Sequence, residues 1–115
     1  MNCEIRTILK FEKEAKKLIK KYPSLKSELK ALDDLLSKNP LQGTPLGNNF
    51  YKIRLAIKSK GRGKSGGARV ITNIIFKCTE PKRLYLTSIY DKADRESISN
   101  TVLKEILKDI HNKEI

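Results

Sequence analysis

The sequence predicts an α+β domain: an antiparallel sheet of about four strands with an N-terminal helical hairpin and a C-terminal helix. Apolar residues recur at helical spacing in two segments near the N terminus and in one at the C terminus. Segments with strand character, joined by short turns, lie between them. Because the first helices form a block before the strands, the order favours an α+β sandwich over βαβ units. A length of 115 residues without internal repeats predicts one domain, 1–115.

In the first part of the chain, residues 2–8 predict a short strand, and two helices follow it. The first helix stops at Tyr22-Pro23, and its apolar stripe consists of Phe11, Ala15, Leu18 and Ile19. Ser24 is a natural N-cap for the second helix, which ends at Asn39-Pro40. The lysine-rich outer faces of both helices are most simply solvated surface. The Gly, Pro and Asn residues of 43–49 predict a loop.

The second part of the chain predicts three strands and a helix. Residues 50–58 alternate between apolar side chains and basic or small ones, which indicates a strand with one core face and one basic face. Residues 59–67 are rich in Gly and Lys and predict a flexible basic hairpin loop. Strands follow over 68–77 and 83–90, with a turn at Glu80-Pro81 between them. Ser99 is expected to cap the final helix.

The formal net charge is +12, and most of the excess lies in the middle of the chain. Between Leu35 and Thr79 there is no Asp or Glu, but there are nine Lys and Arg residues. A solubility surplus would be spread more evenly. Such a concentrated positive charge favours a polyanionic partner, because its potential attracts and retains phosphates.

Several functional classes are disfavoured by the composition. No apolar segment is long enough for a membrane span, and no secretory leader follows the N terminus, so we expect cytoplasmic localisation. Cys3 and Cys78 are too few for a disulfide framework or a cysteine-based metal site. The lone His111 lies close to the C terminus and is a poor candidate for a general base. We therefore expect neither a cofactor nor a metal.

The remaining feature is a basic strand face beside a basic loop, which suits either phosphate binding or RNA cleavage. Cleavage requires a base for the ribose 2′-hydroxyl, cations for the charged phosphorane and an acid for the leaving oxygen. Lys and Arg can supply much of this without a metal, since crowded positive charges favour a neutral amine and the Arg fork fits a phosphate. On these grounds alone, a nucleic-acid binder is favoured over a nuclease.

Five segments carry a recognisable pattern: Tyr51-Lys52-Ile53-Arg54, the basic loop 58–64, Gly66-Gly67-Ala68-Arg69-Val70-Ile71, Leu84-Tyr85-Leu86 and Ile89-Tyr90-Asp91-Lys92. In these segments the sequence resembles the RelE/ParE superfamily of type II toxin–antitoxin toxins, in particular its HigB-like branch. The resemblance implies a small RelE-like fold and an mRNA interferase, a metal-free endoribonuclease that cleaves mRNA in the ribosomal A site and so inhibits translation. It also implies a cognate antitoxin, with operator DNA bound only through the toxin–antitoxin complex.

The resemblance also suggests roles for individual residues. The catalytic candidates are Lys52, Arg54, Arg69 and Tyr90. The candidates for contact with RNA and the ribosome are Lys58, Lys60, Arg62, Lys64 and Lys92. Two departures from the family pattern concern the general acid: Lys92-Ala93-Asp94 stands where an arginine is expected after the strand, and no tyrosine follows Tyr90.

Two alternatives stay open at this point. The first is inhibition of DNA gyrase in the manner of ParE, which does not need a catalytic basic cluster. The second is a non-catalytic module that binds RNA or an antitoxin. Only seven aromatic residues are present, and most fit core positions, which leaves few stacking platforms for single-stranded RNA.

Overall fold

The computed structural model describes residues 3–61, 63 and 66–115. Within this part of the chain, three α-helices and one five-stranded sheet form an α+β structure, as predicted. The elements in order are β1 (Glu4–Thr7), α1 (Leu9–Lys21), α2 (Leu25–Lys38), β2 (Thr44–Gly47), β3 (Phe50–Leu55), a 3-10 turn (Lys58–Lys60), β4 (Ala68–Lys77), β5 (Glu80–Asp91) and α3 (Asn100–Glu114).

The sheet differs from the prediction of about four antiparallel strands. Its described strands follow the order β1-β5-β4-β3-β2, and β1 pairs with β5 in parallel. The extra strand is β2, in the segment predicted as a loop, where Thr44 pairs with Lys52 and Pro45 with Tyr51. A proline is tolerated there because β2 lies at the edge of the sheet, where one side of the strand needs no hydrogen-bonded neighbour.

Several predicted boundaries also shift. The first strand lies at Glu4–Thr7, and residue 2 lies outside the described residues. β3 ends at Leu55, three residues early, because the chain turns into the 3-10 segment. The predicted turn at Glu80-Pro81 lies inside β5, and the turn itself falls at 78–79, where Cys78 has a φ of 59°.

The two predicted helix caps behave differently. Ser99 accepts a hydrogen bond from the Val102 amide at 3.2 Å, as a capping side chain should. Ser24 occupies the N-cap position of α2, but its backbone is helical and its hydroxyl donates to Glu28 instead. The Ser24 hydroxyl also accepts from the Ser59 amide at 2.8 Å, so it ties α2 to the 3-10 turn.

Helices cover both faces of the sheet. Side chains alternate between the two faces along a strand, so Phe50 and Ile53, three residues apart in β3, point to opposite faces. Both are buried. Ile53 lines a groove with Leu32 of α2, whereas Phe50 lines a cavity with Leu103 of α3. Coverage of both faces explains why the central strand β4 is buried continuously from Ala68 to Ile74, instead of alternating, and why even its polar residues Arg69, Thr72 and Asn73 are buried. None of the described helices has the length and apolarity required to cross a membrane.

Candidate active site

The four predicted catalytic residues lie together on one face of the sheet, at one end of the central strands. Arg54 of β3 lies opposite Arg69 of β4, and Arg69 lies opposite Tyr90 of β5. Residues directly opposite one another share a face, with Cβ atoms about 5 Å apart. Lys52 is two residues from Arg54 on the same strand and therefore points to the same side. We call Lys52, Arg54, Arg69 and Tyr90 the basic row.

The members of the basic row differ sharply in exposure. Arg54 is exposed and Lys52 is half-buried, so both can reach a ligand from solvent. Arg69 is only 4% exposed, and its Nη1 donates to the carbonyl oxygen of Ala68 at 3.2 Å. The surface of the site is therefore formed by Lys52 and Arg54, with a second guanidinium beneath it. Direct contact between Arg69 and a phosphate would require the covering side chains to move.

Tyr90 is buried as well, at 5% exposure. Its hydroxyl has no hydrogen-bond partner among the described residues. Burial raises the pKa of Tyr90 above its usual value, and the positive charges of Arg69 and Arg95 oppose that rise without cancelling it. The phenol therefore stays protonated at neutral pH, a state in which it can donate a proton but cannot accept one. A buried hydroxyl without a partner usually costs stability, so the Tyr90 hydroxyl, a free donor within the described chain, calls for a functional explanation.

Arg95 belongs to the same site, although the sequence analysis did not select it. Its guanidinium carbon lies 5.4 Å from the centre of the Tyr90 ring, within cation–π range. A tight turn after β5 brings it there, since the amides of Asp94 and Arg95 both donate to the carbonyl oxygen of Asp91. The spacing in the sequence could have indicated this position. Arg95 follows the last residue of β5 by four positions, about one helical turn, which brings its side chain back toward the end of the strand.

Lys60, for which the resemblance suggests contact with RNA, forms an ion pair with Asp91. The Lys60 side chain is 12% exposed, and that of Asp91 is 1% exposed. Its ammonium also lies 5.7 Å from the centre of the Tyr22 ring. Asp91 follows Tyr90 in β5 and so points to the opposite face of the sheet. The charge of Lys60 is thus matched inside the fold, away from the basic row.

Asp91 is held ionised by a set of donors. The Tyr22 hydroxyl donates to it at 2.8 Å and the Ala93 amide at 2.9 Å, in addition to Lys60. Burial raises the pKa of Asp91, but the hydrogen bonds from Lys60, Ala93 and Tyr22 outweigh that effect and bring the pKa below its usual value. This cluster fastens the start of the basic loop to α1 and to the end of β5.

The other predicted contact residues are distributed around the site. Lys58 is exposed, and its backbone amide donates to Glu28 of α2 at 2.7 Å. Lys92 is half-buried and lies 3.5 Å from the exposed carboxylate of Glu96, a weak pairing. Arg62 and Lys64 lie outside the described residues.

An open groove of about 970 Å³ runs between α2 and β3, and its lining includes Lys52, Ile53, Arg54 and Lys58. Because Ile53 faces α2, the side chains of Lys52 and Arg54 point to the other face, so the groove lies behind the basic row. Among the residues that the structure describes, no group of three or more His, Cys, Asp and Glu side chains is arranged to hold a metal ion. The basic row itself offers one amine, two guanidiniums and one phenol, and the groove adds the carboxylate of Glu28, which accepts from the Lys58 amide at 2.7 Å.

A comparison with models of known protein families finds none that matches this sequence.

Proposed function

We propose that this protein is a metal-independent endoribonuclease, the toxin of a type II toxin–antitoxin module, which cleaves mRNA in the ribosomal A site. The main support is the basic row, in which Arg54, Arg69 and Tyr90 lie side by side across three strands with Lys52 beside them. The resemblance to the HigB-like branch of the RelE/ParE superfamily supplies the family, the RelE-like fold, the ribosome and the antitoxin partner.

The proposed reaction is attack of a ribose 2′-oxygen on the adjacent phosphorus. The 2′-hydroxyl loses its proton to a base, the bond from phosphorus to the 5′-oxygen breaks, and an acid protonates that oxygen. The products are a 2′,3′-cyclic phosphate and a 5′-hydroxyl. No redox partner or cofactor is needed for this balance. The developing negative charge on the phosphorane is the feature that nearby cations can stabilise.

The properties of each residue restrict its role in this reaction. Arginine does not lose its proton in proteins, and Tyr90 is held in its neutral form, so Lys52 is the member of the basic row suited to act as base. Tyr90 is suited to protonate the leaving 5′-oxygen once the side chains that cover its hydroxyl move. Arg54 is exposed and can form a bidentate contact with the phosphate. Arg69 adds a buried positive charge beneath it.

The test is a cell-free translation reaction with a defined mRNA, in which new 5′ ends are mapped with and without the protein. Arg54→Ala is the best variant, because Arg54 is exposed and its loss should leave the fold intact. We expect cuts within the translated frame only when ribosomes are present, and a loss of about 100-fold or more in Arg54→Ala. Lys77→Ala is the matched control, because Lys77 is exposed at the opposite end of β4.

Each outcome of this experiment decides one part of the proposal. Cuts that persist in Arg54→Ala at the wild-type rate would contradict the assigned site. Cuts in naked RNA would contradict dependence on the ribosome. Intact mRNA in the presence of folded protein would contradict the nuclease.

A second candidate function, phosphate binding without cleavage, is favoured by the burial of Arg69 and Tyr90. If those two residues never reach the substrate, the exposed Lys52 and Arg54 form only a binding surface. RNA binding that depends on Arg54, without any new 5′ ends, would favour this candidate over the nuclease.

A further inference from the structure

The outer face of α1 has an unusual concentration of lysines. Lys13, Lys16, Lys17 and Lys20 are all exposed, and at 3.6 residues per turn they fall within an arc of about 100°. From Lys13 to Lys20 the helix rises about 10 Å. The apolar stripe of the same helix lies on the other side and faces the core. The lysines therefore form one compact surface, which we call the α1 lysine face.

The acidic residues of α1 do not neutralise this face. Glu12 accepts a hydrogen bond from Thr7 at 2.6 Å. Glu14 pairs with Lys10 at 3.1 Å and accepts from the Ser88 hydroxyl at 2.8 Å. Within the described chain, none of the four lysines of the α1 lysine face takes part in an ion pair. Their charge is available to a partner outside the molecule.

We infer that the α1 lysine face is a second RNA-binding surface, which contacts the phosphate backbone of double-stranded RNA. Protein–protein interfaces are depleted in lysine and use aromatic or apolar anchors, and this face has no such anchor. Binding flat on a membrane requires an exposed apolar face, but the apolar face of α1 packs against the sheet. Contact with a phosphate backbone needs only the positive charges.

The same composition favours a duplex over a single strand. Single-stranded nucleic acid is held by aromatic side chains on which its bases stack, and the α1 lysine face has none. Double-stranded RNA is recognised through its shape, its phosphates and its 2′-hydroxyls. A rigid helix that presents four lysines along about 10 Å suits such a backbone.

The end of α1 adjoins the Asp91 cluster, on the face of the sheet opposite the basic row. The helix ends at Lys21, whose ammonium is 5.4 Å from the centre of the Tyr22 ring. Tyr22 in turn donates to Asp91, the neighbour of Tyr90. This inference deepens the proposed function, since it names folded RNA, of the kind that a ribosome offers, as the ligand of a second surface. RNA binding by α1 does not itself depend on cleavage.

The test compares two variants that lose the same charge at different places. In the first, Lys13, Lys16, Lys17 and Lys20 are replaced by Gln. The matched control replaces four other exposed lysines, which lie at the 78–79 turn and on α3: Lys77, Lys82, Lys104 and Lys108. The affinity for a short RNA duplex, and for one of its strands alone, is measured over a series of salt concentrations.

We expect the salt dependence to separate the two variants. Each phosphate contact contributes about 0.9 to the slope of log K against log salt, so loss of four contacts should lower the slope for the duplex by about 3.6. The control variant should keep a slope close to that of the wild type. An equal loss in both variants would mean that only net charge matters, and would overturn the proposal. An unchanged slope in the α1 variant, or a loss that is the same for the single strand, would overturn it as well.

A third protein, Arg54→Ala, distinguishes failure of this inference from failure of the proposed function. This variant should lose mRNA cleavage. Its affinity for the RNA duplex should keep the part of the salt dependence that comes from the α1 lysine face. If the salt dependence of duplex binding depends on the α1 lysines but neither the wild type nor any variant cleaves mRNA, the RNA-binding role of the α1 lysine face is supported and the nuclease proposal is contradicted.

Discussion

Replacement of Asp91 by Asn should lower the free energy of unfolding by about 3 kcal/mol, because it leaves the charge of Lys60 without its partner inside the fold. The side chains of Lys60 and Asp91 are 12% and 1% exposed, so water cannot take the place of the carboxylate. The change keeps the shape of the side chain and removes only its charge and one acceptor oxygen.

The magnitude follows from the contacts of Asp91. Removal of one partner from a buried ion pair costs about 3–5 kcal/mol. Lys60 and the Ala93 amide both donate to Oδ1 of Asp91, and Tyr22 donates to Oδ2, so an Asn amide oxygen in the Oδ1 position can keep two of the three hydrogen bonds. We therefore expect the lower end of that range. The matched control is Glu96→Gln, since Glu96 is 91% exposed and pairs with Lys92 at 3.5 Å. Its loss should cost less than about 0.5 kcal/mol.

Urea unfolding at neutral pH measures both variants. With a slope of about 1.5 kcal/mol per molar, a loss of 3 kcal/mol moves the midpoint down by about 2 M. The double variant Asp91→Asn/Lys60→Met should be more stable than Asp91→Asn alone, because it removes the unpaired charge. A destabilisation below about 1 kcal/mol in Asp91→Asn, or one no greater than that of Glu96→Gln, would refute this reasoning.

Asp91 also predicts how stability changes in acid. Its pKa is lower in the folded protein than the ordinary value of 3.8, so the folded state favours the ionised form. The resulting stability is fully present above that ordinary value and is lost as the pH falls through the folded pKa. The difference between the wild type and Asp91→Asn should therefore shrink with falling pH below 3.8. A difference that stays constant down to the acid transition would contradict the lowered pKa.

Three further substitutions have separate expected outcomes. Tyr90→Phe removes a buried hydroxyl that has no described partner. Urea unfolding should therefore show equal stability or a gain of up to about 1 kcal/mol. The yield of new 5′ ends in the translation assay should fall about 100-fold. Glu114→Gln weakens an ion pair in which Nη1 of Arg83 donates to both carboxylate oxygens, at 2.7 and 2.8 Å. It should cost about 1–2 kcal/mol, with faster proteolysis of the C-terminal helix. Gly67→Ala would place a Cβ 2.1 Å from the carbonyl oxygen of Leu55. The free energy of unfolding in urea should therefore fall by more than about 2 kcal/mol. A variant as stable as the wild type would contradict this clash.

The helices could be predicted from the sequence because their signals are local. Apolar residues at helical spacing fix the buried side of each helix, and Ser99 forms the cap that its position indicates. β2 could not be predicted, because Gly43, Pro45 and Gly47 are residues typical of turns. Its strand conformation comes from pairing with β3, and nothing within the segment itself reveals that pairing.

The candidate site was predictable in its residue types but not in its geometry. Alternation in β3 indicated that Lys52 and Arg54 share a face, and this is confirmed by the register. The burial of Arg69 and Tyr90 depends on their place in adjacent central strands and on the chain that folds over them, such as Arg95 against the Tyr90 ring, which is a tertiary effect. The pairing of Lys60 with Asp91 joins residues far apart in the sequence, so a lysine within a basic loop gave no sign of it.

The acidic residues explain why so much positive charge is left for a ligand. Five of them join separate elements of the fold: Glu4 bonds to β5, Glu14 joins α1 to β5, Glu28 joins α2 to the 3-10 turn, Asp91 holds the start of the basic loop, and Glu114 fastens α3 to β5. Their charges are thus used within the structure, whereas many of the lysines and arginines face outward unpaired. Replacement of these acids should therefore lower stability, and replacement of the outward lysines should instead weaken RNA binding.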